Sequence, residues 1–232
     1  MSCELWIMKR LFLAIPIKTN DNGFVPLLDG LKRQLAHEKR INWVRPDNIH
    51  LTLKFIGSTP NEDIPKIIDG VGEMLRNHKS FTMDFNRTGI FGSRYAPRVI
   101  WLGMQNTPQE LYDLEEDTLT TFDNIGYLRD RQNFVPHITL GRIKELCEKQ
   151  YFQKIVSGIE QKSYIKQEVN EIILFQSILR PEGAIYKELK KFRIDSWQLT
   201  VDNWQLTINS WQLTINSWQL IIKAITFNPL IL

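Results

Sequence analysis

The chain has 232 residues, a formal charge of +3 and 43% hydrophobic residues, enough apolar material for one large domain or two small lobes sharing an interface. That charge is compatible with a phosphate-bearing partner but excludes the charge density of a dedicated nucleic-acid coat protein. Two cysteines, Cys3 and Cys147, are too few for a disulfide framework and lack metal-type spacing, so a reducing cytoplasm is the expected compartment.

Taken in chain order, residues 1–7 form a mixed prefix without a clear period, and the regular pattern begins at "MKRLFLAIPI" from Met8. Its apolar run closes at Lys18 without a small-residue cleavage site, which reads as a buried strand and not a signal peptide. No segment approaches the roughly 20 apolar residues needed to span a bilayer, so a protein without membrane contact is expected. Residues 24–40 space Leu27, Leu28, Leu31 and Leu35 as a helix with basic residues outside,. "NIHLTLKFIG" (48–57) alternates as a strand, and residues 61–77 return to helical spacing after an acidic first turn,. The stretches 81–92 and 97–104 are β-rich,. A helix is expected over 107–126, with Thr107 as cap, Pro108 in the first turn and Gly126 at the end,.

"PHITLGRI" (136–143) reads as another strand, 147–162 as a helix, 169–179 as a strand and "AIYKELKKF" (184–192) as a short closing helix. Mixed elements with short connections predict an α+β protein with antiparallel sheets. From Ser196 a seven-residue unit repeats through Leu220. Its Trp, Leu and Ile positions wrap around a helix instead of forming a coiled-coil seam, and they alternate as in strands. The repeat holds four of the seven tryptophans and is read as a non-catalytic addition. The expected organisation is an extension over 1–7, a catalytic domain over 8–194 and a repeat tail over 195–232.

Side chains at i and i+2 of a strand share a face, so His50, Thr52 and Lys54 are expected on one side with Leu51, Leu53 and Phe55 on the other,. The pattern recurs in "PHITLGR", where His137 and Thr139 share a face opposite Ile138 and Leu140. Of the four histidines, His37 and His78 lack it and are read as surface residues. One such strand suggests a satisfied structural histidine; two suggest a pair of proton-transfer groups. A metal site is disfavoured, because neither histidine has a further Cys, Asp or Glu at ligand spacing.

With these residues in view, the chain resembles the two-histidine phosphoesterases, and within them the bacterial and archaeal RNA 2′,3′-cyclic phosphodiesterases once called 2′-5′ RNA ligases. The resemblance runs from Met8 to Ile194 through "MKRLFLAIPI", "NWVRPDNIHLTLKFIG", "GIFGSRYAPRVIWLG", "FVPHITLGRIK" and "SILRPEGAIYKELKKF". It implies two pseudo-symmetric α+β lobes, each an antiparallel sheet with flanking helices, around a central cleft to which each lobe gives one H-x-T strand. It also implies opening of RNA 2′,3′-cyclic phosphate ends to 2′-phosphomonoesters, with reversible 2′-5′ ligation as a related capacity.

Such a reaction needs a base and an acid on opposite sides of phosphorus. An imidazole with an ordinary pKa near 6.5 serves either role, each typically contributing about 10² to 10⁴-fold. The resemblance suggests His50 as proton donor and His137 as acceptor, with Thr52 and Thr139 binding phosphate oxygens. Arg142 is the candidate cation. Strand parity aims it away from His137 unless a bulge at Gly141 restores its direction. Lys54 has the matching parity, and Arg98, with Arg94, offers a backbone contact beside Tyr95 or Phe134 for stacking. No metal or cofactor is expected, and the expected partners are RNA ends or small cyclic nucleotides acting on a monomer. The alternatives are another cyclic or 2′-5′ linked nucleotide as substrate, or a binding module without turnover.

Overall fold

A computed structural model describes residues 8–19, 23–129, 133–180 and 183–194, and among these it places ten strands and four α-helices. The chain divides into two units, Met1–Ile194 and Asp195–Leu232. The prefix 1–7 and the repeat tail both lie outside the described residues.

In chain order the elements are β1 (Met8–Pro16), α1 (Phe24–Gln34), β2 (Ile41–Trp43), β3 (His50–Pro60), α2 (Ile64–Met74), β4 (Phe81–Phe85), β5 (Arg87–Ser93), β6 (Ala96–Gly103), α3 (Gln109–Asn124), β7 (His137–Ile143), α4 (Lys149–Ser157), β8 (Ile165–Val169), β9 (Glu171–Arg180) and β10 (Gly183–Arg193). Eight strands form one antiparallel sheet, seven of them in the order β10-β9-β1-β3-β7-β6-β5 and the eighth, β2, paired to β7. Strands β4 and β8 pair separately.

The path is two four-stranded halves that meet only where Leu51 of β3 stands opposite Ile138 of β7. These are the middle residues of the two H-x-T strands, and both are fully buried. A near-twofold relation follows: each half brings one histidine and one threonine to the junction, on the face opposite the two buried aliphatics.

Each helix buries the face its spacing calls for. Phe24, Leu28 and Leu31 of α1 enter the core while Lys32 and Arg33 sit in its last turn, where the helix dipole favours cations,. On α3 the buried row is Leu111, Leu114, Thr118, Leu119 and Phe122. The helix ends before Gly126, whose φ of 95° suits a residue without Cβ,. Pro108, not Thr107, occupies the cap position of α3, and no side chain bonds there. Buried Glu38 accepts the backbone N–H groups of Cys147 and Glu148, both at 2.7 Å, and so satisfies donors that the start of α4 would otherwise leave unpaired,.

Three elements differ from the sequence expectation. The stretch 184–192 lies in strand β10, paired along its length with β9, and not in a helix. Its helix-forming Lys, Glu and Leu are overruled by a free sheet edge on β9. The short strand β2 and the strand β8 carry too few residues for a period to be visible,. They owe their conformation to partners distant in sequence, β7 and β4.

Candidate active site

Both H-x-T strands contain a β-bulge, at the same place in the motif. Along β1 and β3, Leu13 stands opposite Lys54 and Ala14 opposite Thr52, so Leu53 is the extra residue. Along β6 and β7, Ile100 stands opposite Gly141 and Trp101 opposite Thr139, so Leu140 is the extra residue. A bulge inserts one residue and reverses the alternation beyond it. The residue five after each histidine is thereby turned onto the histidine's own face: Phe55 in the first strand and Arg142 in the second.

This decides the fate of the candidate cations. Arg142 lines a cavity of about 710 Å³ together with His50, and its guanidinium lies close enough to His50 and His137 to lower the pKa of both. The extra residue is Leu140 and not Gly141. Gly141 instead leaves room for β2, since a Cβ there would sit 3.0 Å from the Trp43 ring.

Lys54 is turned the other way. It stands opposite core residue Leu13, is buried, and donates from Nζ to the Leu128 carbonyl at 2.8 Å. The strand-parity placement of Lys54 beside His50 is therefore corrected by the bulge. Arg98 is likewise absent from the cavity lining. It is the extra residue of a further bulge, between Val99 opposite Phe91 and Pro97 opposite Gly92, so alternation does not assign it to the face of His137,.

Thr52 and Thr139, both half-buried, share the faces of His50 and His137. The two imidazoles are held in the same way. His50 Nδ1 lies 2.7 Å from the Asn48 carbonyl oxygen and His137 Nδ1 lies 2.8 Å from that of Val135. A carbonyl only accepts, so each Nδ1 carries the hydrogen and donates it, leaving each Nε2 free as the reactive nitrogen.

Aromatic walls fix the rings from the sides. Phe12 and Tyr186 pack on His50 at 4.9 and 5.1 Å between ring centres. Phe91 packs on His137 at 4.6 Å, with Trp101 behind it. None of these walls was read as part of the site from sequence. Phe12 and Phe91 looked like ordinary strand residues, and Tyr186 lay in the stretch read as a helix. Tyr95, Phe134 and Arg94 are not among the residues lining the cavity at His50, and neither is His137, which stands on the other half of the sheet.

The walls have an electrostatic consequence. Burial, with added positive potential from Arg142 and His137, pushes the His50 pKa down to about 4 against the opposing bond to Asn48,. His137 is also lowered, by burial first and by Arg142 second. At neutral pH both imidazoles are therefore neutral, and an arriving phosphate finds Arg142 as the fixed cation beside them. Added negative charge favours the protonated imidazole, so the anion itself restores a proton to the pair.

The chain can also be set beside known proteins. A family model described as "LigT like Phosphoesterase" matches it twice, over residues 21–101 and 102–186. The first match contains His50 and the second His137, in keeping with the near-twofold junction. A protein of Thermotoga maritima named RNA 2′,3′-cyclic phosphodiesterase is 34% identical over 180 residues, 78% of this chain and 92% of its own. A Methanothermobacter thermautotrophicus protein of the same name is 29% identical over 80% of this chain and 98% of its own. Among solved structures, E. coli LigT complexed with 3′-AMP superposes with a TM-score of 0.60 at 23% identity, covering 81% of this chain and 99% of that one. A Thermus thermophilus structure gives 0.64 at 23% identity, covering 80% and 97%.

Proposed function

The chain belongs to the LigT-like phosphoesterase family, and from that premise we propose that it hydrolyses RNA 2′,3′-cyclic phosphate ends to 2′-phosphomonoesters, with His50 and His137 as acid and base. The observation that carries the reading is the pair of like-tautomer imidazoles, both within reach of the Arg142 charge, supplied by two strands that meet at Leu51 and Ile138. Relatives named RNA 2′,3′-cyclic phosphodiesterase support the substrate class.

In this reading water attacks phosphorus on the side away from the 3′ oxygen. His137 Nε2 takes the proton of that water as the new P–O bond forms, and His50 Nε2 gives a proton to the 3′ oxygen as the P–O3′ bond breaks. The 2′-phosphate remains on the ribose. Thr52 and Thr139 hydroxyls donate to the non-bridging oxygens, and Arg142 stabilises the charge that grows on them. After turnover His137 holds the proton that His50 has lost, and exchange with solvent resets the pair. These groups supply acid, base and charge stabilisation, so the step as written asks nothing of a metal or cofactor. The same reading takes the protein as a cytoplasmic monomer, since one chain provides both histidine strands.

The test is incubation with an oligoribonucleotide ending in a 2′,3′-cyclic phosphate in the presence of a chelator, with the product identified by mass and by its resistance or sensitivity to a 3′-specific phosphatase. A 2′-phosphate product, lost in His50→Ala and in His137→Ala, is expected. No turnover, or full turnover in either variant, refutes the reading. Tight binding without product would instead identify a binding module.

A further inference from the structure

His50 and His137 are each oriented by a carbonyl two residues earlier, but the two carbonyls are not secured alike. Val135, which holds His137, has an aliphatic side chain with no hydrogen bond to give. Asn48, which holds His50, uses its side chain on a distant strand. Its Nδ2 donates to the Ala184 carbonyl of β10 at 2.9 Å, across 136 residues of sequence.

The segment that carries Asn48 is short. Residues Pro46–Asn48 make a single 3-10 turn ahead of β3, closed by the Asn48 N–H on the Arg45 carbonyl at 2.9 Å. Such a turn aims the chain into β3, but its hydrogen-bond geometry is poor and it is only three residues long. The bond to Ala184 adds an anchor from outside the turn.

Strand β10 therefore reaches His50 twice. Ala184 receives the Asn48 amide, and Tyr186, two residues on and on the same face of the strand, packs edge-on against the His50 ring at 5.1 Å. Asn48, His50, Ala184 and Tyr186 all line one cavity. A proton-transfer imidazole needs its plane fixed and one chosen nitrogen turned to the substrate. Tyr186 bears on the first requirement and the Asn48 carbonyl on the second, and both depend on β10.

On the reading that His50 transfers its proton from Nε2, we propose that Asn48 is a positioning residue whose side-chain bond to Ala184 ties the carbonyl that orients His50 to strand β10. The amide acts through that carbonyl on the ring and not on the substrate. His137 is oriented without such a tie, so the two histidines respond differently when it is cut.

The experiment replaces Asn48 by Leu, close in size and without a donor, and by Asp, of the same shape with an acceptor in place of the donor. Nitrogen-15 NMR of the histidine rings, without substrate and at a pH above their titration, reads which ring nitrogen carries the hydrogen. The wild type is expected to show it on Nδ1 in both rings. In Asn48→Leu and Asn48→Asp, His50 should move towards a mixture of the two tautomers while His137 keeps its wild-type shifts. On a cyclic-ended oligonucleotide kcat should fall by about five- to tenfold, the scale of one lost hydrogen bond, with KM within about twofold. Only the Asp variant adds a charge, so a like effect in both assigns it to the lost donor.

An unchanged His50 ring overturns the tie whatever the rate does. Equal disturbance of His50 and His137 also overturns it, as a general loosening of the fold, and a raised KM with unchanged kcat would place the amide on the substrate instead. The wild type alone supplies a check that needs no variant: the Asn48 side-chain amide should exchange with solvent more slowly than that of exposed Asn42, and equal exchange overturns the bond. If the wild type opens no cyclic phosphate, the hydrolase reading fails by itself, and the ring and exchange measurements still decide the tie.

Discussion

Acidification is expected to weaken this fold through His50 before it does so through carboxylates, and His50→Gln isolates the effect. In the folded protein burial holds the His50 pKa at about 4, against 6.5 for the unperturbed side chain. Between those values the unfolded chain binds a proton that the folded chain does not, so stability falls as pH drops from about 6.5 towards 4 and is level above that window. At about 1.36 kcal/mol per unit, a fall from 6.5 to about 4 corresponds to a loss of about 3 kcal/mol,, a large part of an ordinary domain's net stability. His137, lowered for the same reason, adds in the same direction.

Glu38 behaves differently. Its burial is outweighed by the N–H groups of Cys147 and Glu148, which hold its pKa below 4.5, so its contribution is lost only at still lower pH. The assay is chemical denaturation at intervals from pH 7.5 to 4.5 in buffers free of phosphate and sulfate, for wild type and His50→Gln. Differences common to both proteins cancel, and the gap between the two curves should narrow or reverse on acidification, because the variant no longer carries the buried imidazole. Curves that stay parallel across the window would refute the placement of a desolvated His50 beside Arg142.

Arg142→Ala is expected to lower turnover by about 10² to 10³ and to move the His50 and His137 titrations upward, since a cation that lowers both is gone. Histidine NMR titrations of the variant check the direction. Arg142→Lys should recover part of the charge effect but little of the rate, because the planar fork is lost. Gly89→Ala would set a Cβ 2.2 Å from the Trp101 ring. It is expected to cost about 1 to 3 kcal/mol, read as a lowered Tm, with a loss of turnover because Trp101 backs the Phe91 wall of His137. Truncation after Ile194 is expected to leave turnover on a cyclic-ended oligonucleotide unchanged, and a loss would assign the repeat a supporting role.

The strand character around His50 and His137 was readable because both strands have one buried side. Leu51 and Ile138 recur at the spacing that a half-buried strand imposes, and their neighbours His50, Thr52, His137 and Thr139 must then face away from the core. Histidines are scarce in this chain, so their appearance twice in one pattern was itself informative. The helices α1, α2 and α3 were legible for the same reason at a different period. By contrast β2, β8 and β10 take their form from partners far away in sequence, and nothing local distinguishes "AIYKELKKF" as a strand until β9 lies beside it.

Periodicity also stops being a guide where a ladder slips. Lys54 and Arg142 each follow a histidine on the same chain, and counting residues gives the wrong face for both, because Leu53 and Leu140 are extra residues whose presence is defined only against β1 and β6. The sequence by itself determined the two histidine strands, their threonines and the aliphatic residues behind them, since burial of one face leaves a local imprint. Only the tertiary structure decided that Arg142 joins the histidines and that Lys54 does not. Register and convergence are relations between strands, and no single strand carries them.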